Sequence, residues 1–396
     1  MAQFSLTTAS ELFKITYGKL SDNVYNSANV MLGRIKKQYD FVGKRKDVAV
    51  PLSFQGGVGS GSLPTANPAN YEDAQITAKK CYAVAEIDRE TIKASVNDEG
   101  SFVRGTRHVV EKAVESYMRN MSRILFNDGT GTLGVIDGAP TDNGGGNYDI
   151  VISAATFKEA NWEEGDYINI ETGNTDLFEV ISVTASTRTI NVTRITGSQV
   201  PVDTDECFMQ GSEDNDPEGI KGVLDATSGS KYGITIQRRW QASHQSDASG
   251  AGITPDRMNE AILTIQRKSG KVPNLIVCSF VQFRKILNFL EDQKEYQVEP
   301  RMPELKGKIS FKGVEYMSSA GAIPVFPERF VEDDRVYFLN DNYITCHHRP
   351  GFGWFDDDGT VFLRKSDSDA YEARYGGYKE IYIVPPFHGV ITNLAT

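Results

Sequence analysis

One long stretch of helical periodicity constrains the fold of this chain more than any other feature of its sequence. Between residues 101 and 126, apolar side chains recur at spacings of three, four and seven, which indicates an amphipathic helix. Ser101 can cap the start of this helix, and Asn127-Asp128-Gly129 can end it. A helix of about 25 residues is about 38 Å long, roughly twice the length of an average globular helix. Its apolar stripe is expected to lie in the core, so the other elements must pack around a long rod.

Two strand patterns flank a glycine-rich stretch, FQGGVGSGSLP, at residues 54–64. Apolar side chains alternate at 48–54 and again at 80–87, which predicts an extended hairpin over 47–87 with a loop of about twenty polar and small residues. The loop lacks the glycine spacing and the Lys-Ser or Lys-Thr pair of a phosphate-binding loop. We therefore interpret it as either a mobile surface loop or an arm that becomes ordered on another subunit. Its glycines are Gly56, Gly57, Gly59 and Gly61.

The same hairpin is expected to be an assembly element rather than part of the subunit's own core. Few apolar residues lie between Gln55 and Gln75, so burial within one subunit can contribute little to its stability.

Charge is distributed unevenly along the chain. Residues 137–216 contain 16 acidic and 3 basic residues, a net charge of −13, whereas the whole chain carries −11; the remainder therefore sums to +2. Residues 1–46 contain 8 basic and 3 acidic residues, a net charge of +5. A basic run in this segment is interpreted as contacting a neighbouring subunit or nucleic acid, with an ordinary solvated face as the alternative. The run comprises Arg34, Lys36, Lys37, Lys44, Arg45 and Lys46.

The acidic segment also has its own structural pattern. Five strand-like runs separated by turn-forming residues lie between residues 148 and 211, which predicts a small antiparallel barrel or sandwich inserted as a domain. After residue 220, Thr254-Pro255 begins a predicted helix that ends at Gly270. Most of the remainder is predicted to be strands, and they include YKEIYIVPP at 378–386. Because helices and strands are mixed, the chain as a whole is predicted to be α+β.

The sequence offers little to support catalysis or metal binding. The tempting cluster is Cys346-His347-His348, but in a strand only Cys346 and His348 share a face, and a zinc site needs three or four ligands. The four cysteines are widely separated and are predicted to be buried free thiols of a reducing compartment. We predict no catalytic residue, no cofactor and no metal. The absence of a long apolar run or signal-peptide layout predicts a chain that stays in the cytosol and does not enter a membrane.

The order of these elements resembles the Hong Kong 97-type major capsid proteins of tailed double-stranded DNA phages. FNDGTGTLG at 126–134 and WFDDDGTVFLRKSDSDAYEARYGGYKEIYIVPP at 354–386 are similar to segments of many phage capsid proteins. The resemblance implies five parts. They are an N-terminal arm (1–46), an extended hairpin loop (47–87), a peripheral domain with a spine helix (88–136), an inserted acidic β-domain (137–216) and an axial domain (217–396), whose C-terminal strands return to the peripheral domain.

The resemblance implies a subunit that self-assembles into hexamers and pentamers of an icosahedral shell around a double-stranded DNA genome, in the host cytoplasm. The packaged DNA would be contacted non-specifically, and a portal protein would be a further partner. Because the hairpin begins too early in the chain for a cleaved scaffolding region, a separate scaffolding protein is implied. The resemblance also leaves room for a decoration protein. Two alternatives stay open: an encapsulin-like nanocompartment shell, and an enzyme or carbohydrate-binding protein with an added β-domain.

Overall fold

The computed structural model describes residues 30–53, 70–89, 99–292, 314–318, 321–351, 353–356, 360–365 and 368–396. Helices and strands are mixed along these ranges, which confirms the predicted α+β class. The helices are α1 (Val30–Arg34), α2 (Glu99–Leu125), α3 (Ile220–Leu224), α4 (Pro255–Ser269) and α5 (Phe280–Asp292). Among these helices, none combines the length and the apolar character required to cross a bilayer.

The strands fall into three groups along the chain. Before α2 lie β1 (Lys36–Gln38), β2 (Arg45–Ser53), β3 (Asn70–Thr77) and β4 (Lys79–Asp88). Between α2 and α3 lie β5 (Thr132–Val135), β6 (Thr141–Gly144), β7 (Asn147–Val151), β8 (Tyr167–Ile170), β9 (Phe178–Thr184), β10 (Thr189–Arg194) and β11 (Glu206–Met209). After α3 lie β12 (Ser230–Lys231), β13 (Ile234–Thr235), β14 (His244–Asp247), β15 (Leu275–Cys278), β16 (Val314–Ser318), β17 (Gly321–Pro327), β18 (Val336–Leu339), β19 (Ile344–His348), β20 (Gly353–Trp354), β21 (Phe362–Arg364), β22 (Ala370–Ile383) and β23 (Gly389–Thr392).

The long helix α2 packs on a central sheet. In this sheet β1, β19, β22 and β20 follow one another, and β4 and β21 also pair with β22. Tyr117 and Met121 of α2 are buried in one cluster with Cys346 and Ile381 of the sheet. The ring of Tyr117 meets that of Tyr375 edge-on, with 5.3 Å between centroids. The predicted helix at 101–126 is therefore confirmed to within two residues at each end, and from Val110 onward its apolar stripe lies in the core.

A second sheet is formed by the C-terminal half of the chain, with the strand order β14-β23-β18-β15-β17-β16. Helix α4 packs on it through buried apolar residues that include Met258 and Ile262. The side chain of Thr254 caps α4 by accepting a hydrogen bond from the backbone N–H of Arg257, and Gly270 ends the helix in the left-handed conformation. The predicted helix from Pro255 to Gly270 is confirmed.

Strands β5 to β11 form a separate seven-stranded antiparallel sheet, in the order β5-β11-β8-β9-β10-β7-β6. A bridge between Ile136 and Ile152 joins the end of β5 to the end of β7, so the sheet closes on itself. Its interior is an apolar cluster of its own, which includes Phe178 and Trp162. We call this unit, residues 132–209, the barrel. All five predicted strands are present, but β5 and β6 were missed because short polar strands such as TDNG carry no apolar alternation.

The hairpin differs from its prediction. The partner of β2 is β3 at Asn70–Thr77, within the predicted loop, whereas the predicted return strand at 80–87 is β4 of the central sheet. Strand β3 escaped notice because its alternation rests on only two apolar residues, Ala74 and Ile76. Pro51 lies in a sheet of two strands, where both strands are edges, as its missing N–H requires.

The base of the hairpin belongs to the subunit's own core, contrary to expectation. Leu52, Ala74 and Ile76 are buried in one cluster with Trp240 and Tyr382. Ala74 and Ile76 face the same side of β3, so even a strand with few apolar residues can seal a small core. The expectation failed because it counted apolar residues without considering which face they share.

A close backbone contact explains the length of β22, which begins at Ala370 rather than near Tyr378 as predicted. Gly376 sits in the middle of this strand, at a φ of 148°. A Cβ at Gly376 would overlap the backbone carbonyl oxygen of Cys81 in β4. The Gly-Gly pair that interrupts the apolar pattern is therefore what allows β4 to pair along the strand.

The chain leaving the barrel crosses directly over the end of α2. Gly219 lies so close to the helix that a Cβ there would overlap the carbonyl oxygens of Asn127 and Ile124. Gly222, one turn later in α3, is similarly close to the backbone of Asp128. The return from the barrel to the body therefore depends on glycine for space rather than for a left-handed conformation.

Substituting Gly219 with Ala should destabilise the subunit by about 1–3 kcal/mol, because the added methyl group forces backbone apart in a packed region. The matched control is Gly252→Ala, since a Cβ at Gly252 meets no atom within 4 Å. Urea unfolding of the soluble subunit measures both changes. Equal stability of the two variants would show that the crossing is loose.

Candidate assembly surfaces

The glycines of the predicted hairpin loop follow the end of β2 in the chain. Gly56, Gly57, Gly59 and Gly61 lie in residues 54–69, outside the described residues. The described strands point towards that segment, and Tyr71, opposite Pro51, is 56% exposed. What the structure establishes is the base, which is anchored on the body and presents exposed side chains on its outer side.

The first half of the basic run binds within the chain. Arg34 forms an ion pair with Asp341, with 3.0 Å between Nε and Oδ2. The Nζ of Lys36 donates a hydrogen bond of 2.9 Å to Oδ1 of Asn342. Lys37 is half-buried and lines a small cavity beside Cys346. These residues attach α1 and β1 to the body.

Lys46 belongs to a cluster that holds the segment after β1. Its Nζ forms an ion pair with Asp40, and Nδ1 of His347 lies 2.8 Å from the other carboxylate oxygen. Burial raises the pKa of Asp40, but hydrogen bonds with Lys46 and His347 outweigh burial and leave that pKa lowered. Burial lowers the pKa of His347, and the nearby charge of Lys46 lowers it further.

Lys44 and Arg45 are exposed, as are Arg34 and Lys36, whose side chains bind Asp341 and Asn342. Arg45 pairs with Asp47 of its own strand, at 2.8 Å between Nε and Oδ1. No carboxylate of the described chain lies within ion-pair distance of Lys44. The six basic residues therefore do not form one patch, and the structure leaves mainly Lys44 and Arg45 available for an external partner.

The barrel is fixed to the body by cations from two directions. Arg119 of α2 forms ion pairs with Glu163 and Asp166 of the barrel. From the barrel side, Lys158 pairs with Glu332 of the body, at 3.3 Å between Nζ and Oε1. Sequence reasoning missed these contacts, because Arg119 and Lys158 are ordinary charges in their local patterns.

The most deeply buried of these contacts joins Arg123 of α2 to Asp216, just beyond the barrel. Their side chains are 4% and 6% exposed, and Nη2 lies 3.0 Å from Oδ2. The same Nη2 is 3.4 Å from Oγ of Ser212. The two side chains must stay in contact, because separating them would leave each charge buried without a partner and without solvent.

Glu332 is the acidic centre of a neighbouring network. It is approached by Lys158, Lys221 and Arg335. Burial alone would raise its pKa, but these three cations outweigh burial and lower the pKa to about 2. A polar cleft of about 300 Å³ lies beside this network, between the barrel and the end of α2.

Glu380 of β22 is a buried carboxyl of the opposite kind. One of its oxygens accepts hydrogen bonds from the backbone N–H groups of Glu218, at 2.7 Å, and Ile381, at 3.0 Å. Burial dominates here and raises the pKa of Glu380 to about 8. The group is therefore protonated near neutral pH and holds the crossing segment onto the central sheet.

The Cys346-His347-His348 cluster is buried in β19. Burial raises the pKa of Cys346 to about 11 and lowers that of His348 to about 3. In the part of the chain that the structure describes, no three His, Cys, Asp or Glu side chains come together as a metal site. All four cysteines are free and buried, as predicted.

The sequence family described as SU10 major capsid protein matches residues 187–348, a segment that runs from β10 to β19. No curated protein matches the chain.

Solved structures match over almost the whole chain. A chain of the cyanophage A-1(L) capsid asymmetric unit is 14% identical, with 93% of both chains covered and a TM-score of 0.53. The match to a structure of Gordonia phage Cozz has 9% identity and a TM-score of 0.43, and it covers 93% of this chain and 87% of the phage chain. The holo-SrpI encapsulin complex of Synechococcus elongatus is 8% identical, covers 91% and 85%, and has a TM-score of 0.42.

The likeness to the cyanophage chain, at 14% identity, shows that the two chains share a fold. The role is given by the match of residues 187–348 to the SU10 major capsid protein family. On these two findings the chain is a major capsid protein, and it forms the icosahedral shell of a tailed-phage head.

Replacing Arg123 with Met should destabilise the subunit by about 3–5 kcal/mol, because Asp216 would remain buried without a partner. The double variant R123M/D216L should recover part of this loss, since neither charge then remains. Lys112→Met, which breaks an exposed pair with Glu115, serves as control and should have no measurable effect. Chemical unfolding measures all three. A double variant no more stable than R123M would contradict the ion-pair explanation.

Replacing Glu380 with Gln should flatten the pH dependence of stability. Because its folded pKa of about 8 exceeds the unfolded value, Glu380 binds a proton in the folded state that the unfolded state has released. Wild-type stability should therefore fall as pH rises from about 5 to 8, by up to about 1.4 kcal/mol per pH unit from this group. Gln keeps the acceptor oxygen without the charge.

The comparison is made by unfolding both proteins at several pH values, with the exposed Glu164→Gln as control. Parallel stability profiles for wild type and E380Q would show that Glu380 does not titrate in this range.

Proposed function

We propose that the shell encloses a double-stranded DNA genome, with the barrel on the outer surface and the rest of the subunit forming the wall. In this proposal α2 is the spine helix of a Hong Kong 97-like peripheral domain built with the central sheet. The second sheet, with α4 and α5, is the axial domain, and the barrel is the inserted domain.

The observation that carries this proposal is the coincidence of charge and structure. Residues 137–216 carry −13, and the remainder of the chain carries +2. The barrel, which lies in this segment, has its own closed sheet and its own core. A strongly acidic surface would be repelled by packaged phosphate, whereas a nearly neutral wall would not. Because the excess negative charge is concentrated in and next to the barrel, a barrel on the outer surface keeps that charge away from the DNA.

The charge distribution also bears on partners. A wall with a charge of only +2 makes no strong DNA-binding surface, so contact with the genome would be non-specific and weak. We propose that assembly uses a separate scaffolding protein in the host cytoplasm, and that DNA enters through a portal protein. A decoration protein would bind the exposed barrel.

A density map of DNA-filled heads tests the orientation of the barrel. We expect residues 132–209 on the outer face, with layered DNA density beneath the wall. A barrel on the inner face, or shells that hold protein cargo instead of DNA, would contradict the proposal.

Shortening the hairpin should separate folding from assembly. Replacing residues 56–67 by a two-residue turn keeps the Ser53–Asn70 pair and the buried base residues Leu52, Ala74 and Ile76. We expect a soluble subunit with a near-normal melting temperature that fails to form closed shells of normal size, because each lost contact repeats by symmetry over the particle.

Thermal melting and electron microscopy of the assembly products measure the two effects. The control, Ala74→Asp, places a charge in the base cluster and should reduce the melting temperature itself. Normal shells from the shortened protein would rule out a role of the tip in assembly.

A further inference from the structure

Two segments far apart in sequence present exposed cations at the base of the hairpin. Lys44 and Arg45 lie at the start of β2, and Arg238 and Arg239 lie just after β13. All four residues are exposed. We call these four residues the base patch.

Backbone and core contacts bring the two segments together. The carbonyl oxygen of Lys44 accepts a hydrogen bond from Ala78, and Gln75 of β3 donates one to Tyr232 in the turn before β13. Trp240, which follows Arg239, is 1% exposed and lies in the same apolar cluster as Phe41 and Ile76. Both pairs of cations therefore lie on segments that contribute to one small core.

Three of the four cations in the base patch have no carboxylate partner in the described chain. Arg45 pairs with Asp47, but in the described ranges no carboxylate reaches Lys44, Arg238 or Arg239. The sequence from 226 to 243 contains three basic residues and no acidic ones. By contrast, Arg119, Arg123 and Arg335 all have carboxylate partners within the subunit.

An exposed apolar side chain accompanies these cations. Val42, which follows Phe41 of the same cluster, is 90% exposed. Arginine next to exposed apolar surface is typical of protein–protein interfaces, whereas a phosphate backbone offers little for an apolar side chain to bury against. The composition of the base patch therefore favours an acidic protein surface over nucleic acid.

The same chain provides such a surface. Residues 137–216, which include most of the barrel, carry −13. Among its carboxylates, Asp137, Glu159 and Glu164 are exposed and make no ion pair within the described subunit. In a homo-oligomer, two different surfaces of one chain can form a repeating head-to-tail contact.

We propose that the base patch binds the acidic face of the barrel of a second copy of this chain. The contact rests on the proposed function, because it requires a barrel on the outer surface, where a neighbouring subunit can reach it. Each exposed ion pair would be weak, but every subunit would repeat it. Such contacts would also limit the subunit to partners that present an acidic surface.

Charge reversal of the base patch provides the first test. The variant R238E/R239E should keep the melting temperature of the subunit and reduce the yield of closed shells at least tenfold. The control R267E/K271E makes the same change in charge at exposed residues near the end of α4. Equal shell yields from the two variants would overturn the proposal, whereas shells whose barrels face inward would instead count against the proposed function.

Cross-linking identifies the partner surface. Shells assembled without nucleic acid from a mixture of ¹⁴N- and ¹⁵N-labelled subunits are treated with a carbodiimide, which joins amines to contacting carboxylates. We expect Lys44 to be joined to carboxylates of residues 137–216 in mixed-isotope pairs. Arg238→Lys keeps the charge and supplies a second reporter amine.

Several outcomes would overturn the proposal. They are cross-links only within single chains, cross-links to carboxylates outside 137–216, and no cross-link at either reporter. If Lys44 is protected from chemical modification only in heads that contain packaged DNA, the base patch would be assigned to nucleic acid instead.

Discussion

The buried ion pair between Arg123 and Asp216 is the contact on which the arrangement of the subunit depends. It lies at the end of α2, where the chain returns from the barrel. The apolar side chains at this end of α2 pack against the central sheet. Removing two charges from water is costly, and the attraction repays this cost only when the geometry is held firmly. The adjacent crossing at Gly219 supplies that constraint, because its backbone lies directly on the helix end.

The barrel is thereby held as a fixed part of the subunit. Arg119 of the body binds Glu163 in the barrel, and Lys158 of the barrel binds Glu332 in the body. A fixed barrel matters for a shell, because every copy then presents its acidic surface at the same place. The hairpin has the complementary arrangement: its base is anchored in the Trp240 cluster, and its strands lead outward towards residues 54–69.

Patterns that repeat within one element could be read from the sequence. Helix α2 and helix α4 were predicted nearly to the residue, since periodicity and capping residues act locally. Strand β3 was missed because only Ala74 and Ile76 mark it, and β22 was shortened because its Gly-Gly pair resembles a break. In both cases the deciding interaction lies outside the strand itself: β3 packs on the Trp240 cluster, and β22 pairs with β4.

The candidate surfaces show the same limit. The basic run appeared as one unit in the sequence, but Arg34 and Lys46 find partners more than 300 residues away, at Asp341 and His347. Arg238 and Arg239 joined Lys44 only through tertiary packing around Trp240. The uneven charge of the chain, by contrast, is a property of composition and could be counted directly.

Hydrogen exchange of the free subunit and of the assembled shell tests most directly whether the junction forms before assembly. The account predicts that backbone amides of residues 114–125 and 219–224 are equally protected in both states, whereas the amides on the open outer edges of the β2–β3 sheet gain protection only in the shell. Exchange of the junction amides in the free subunit, with protection appearing only on assembly, would contradict it.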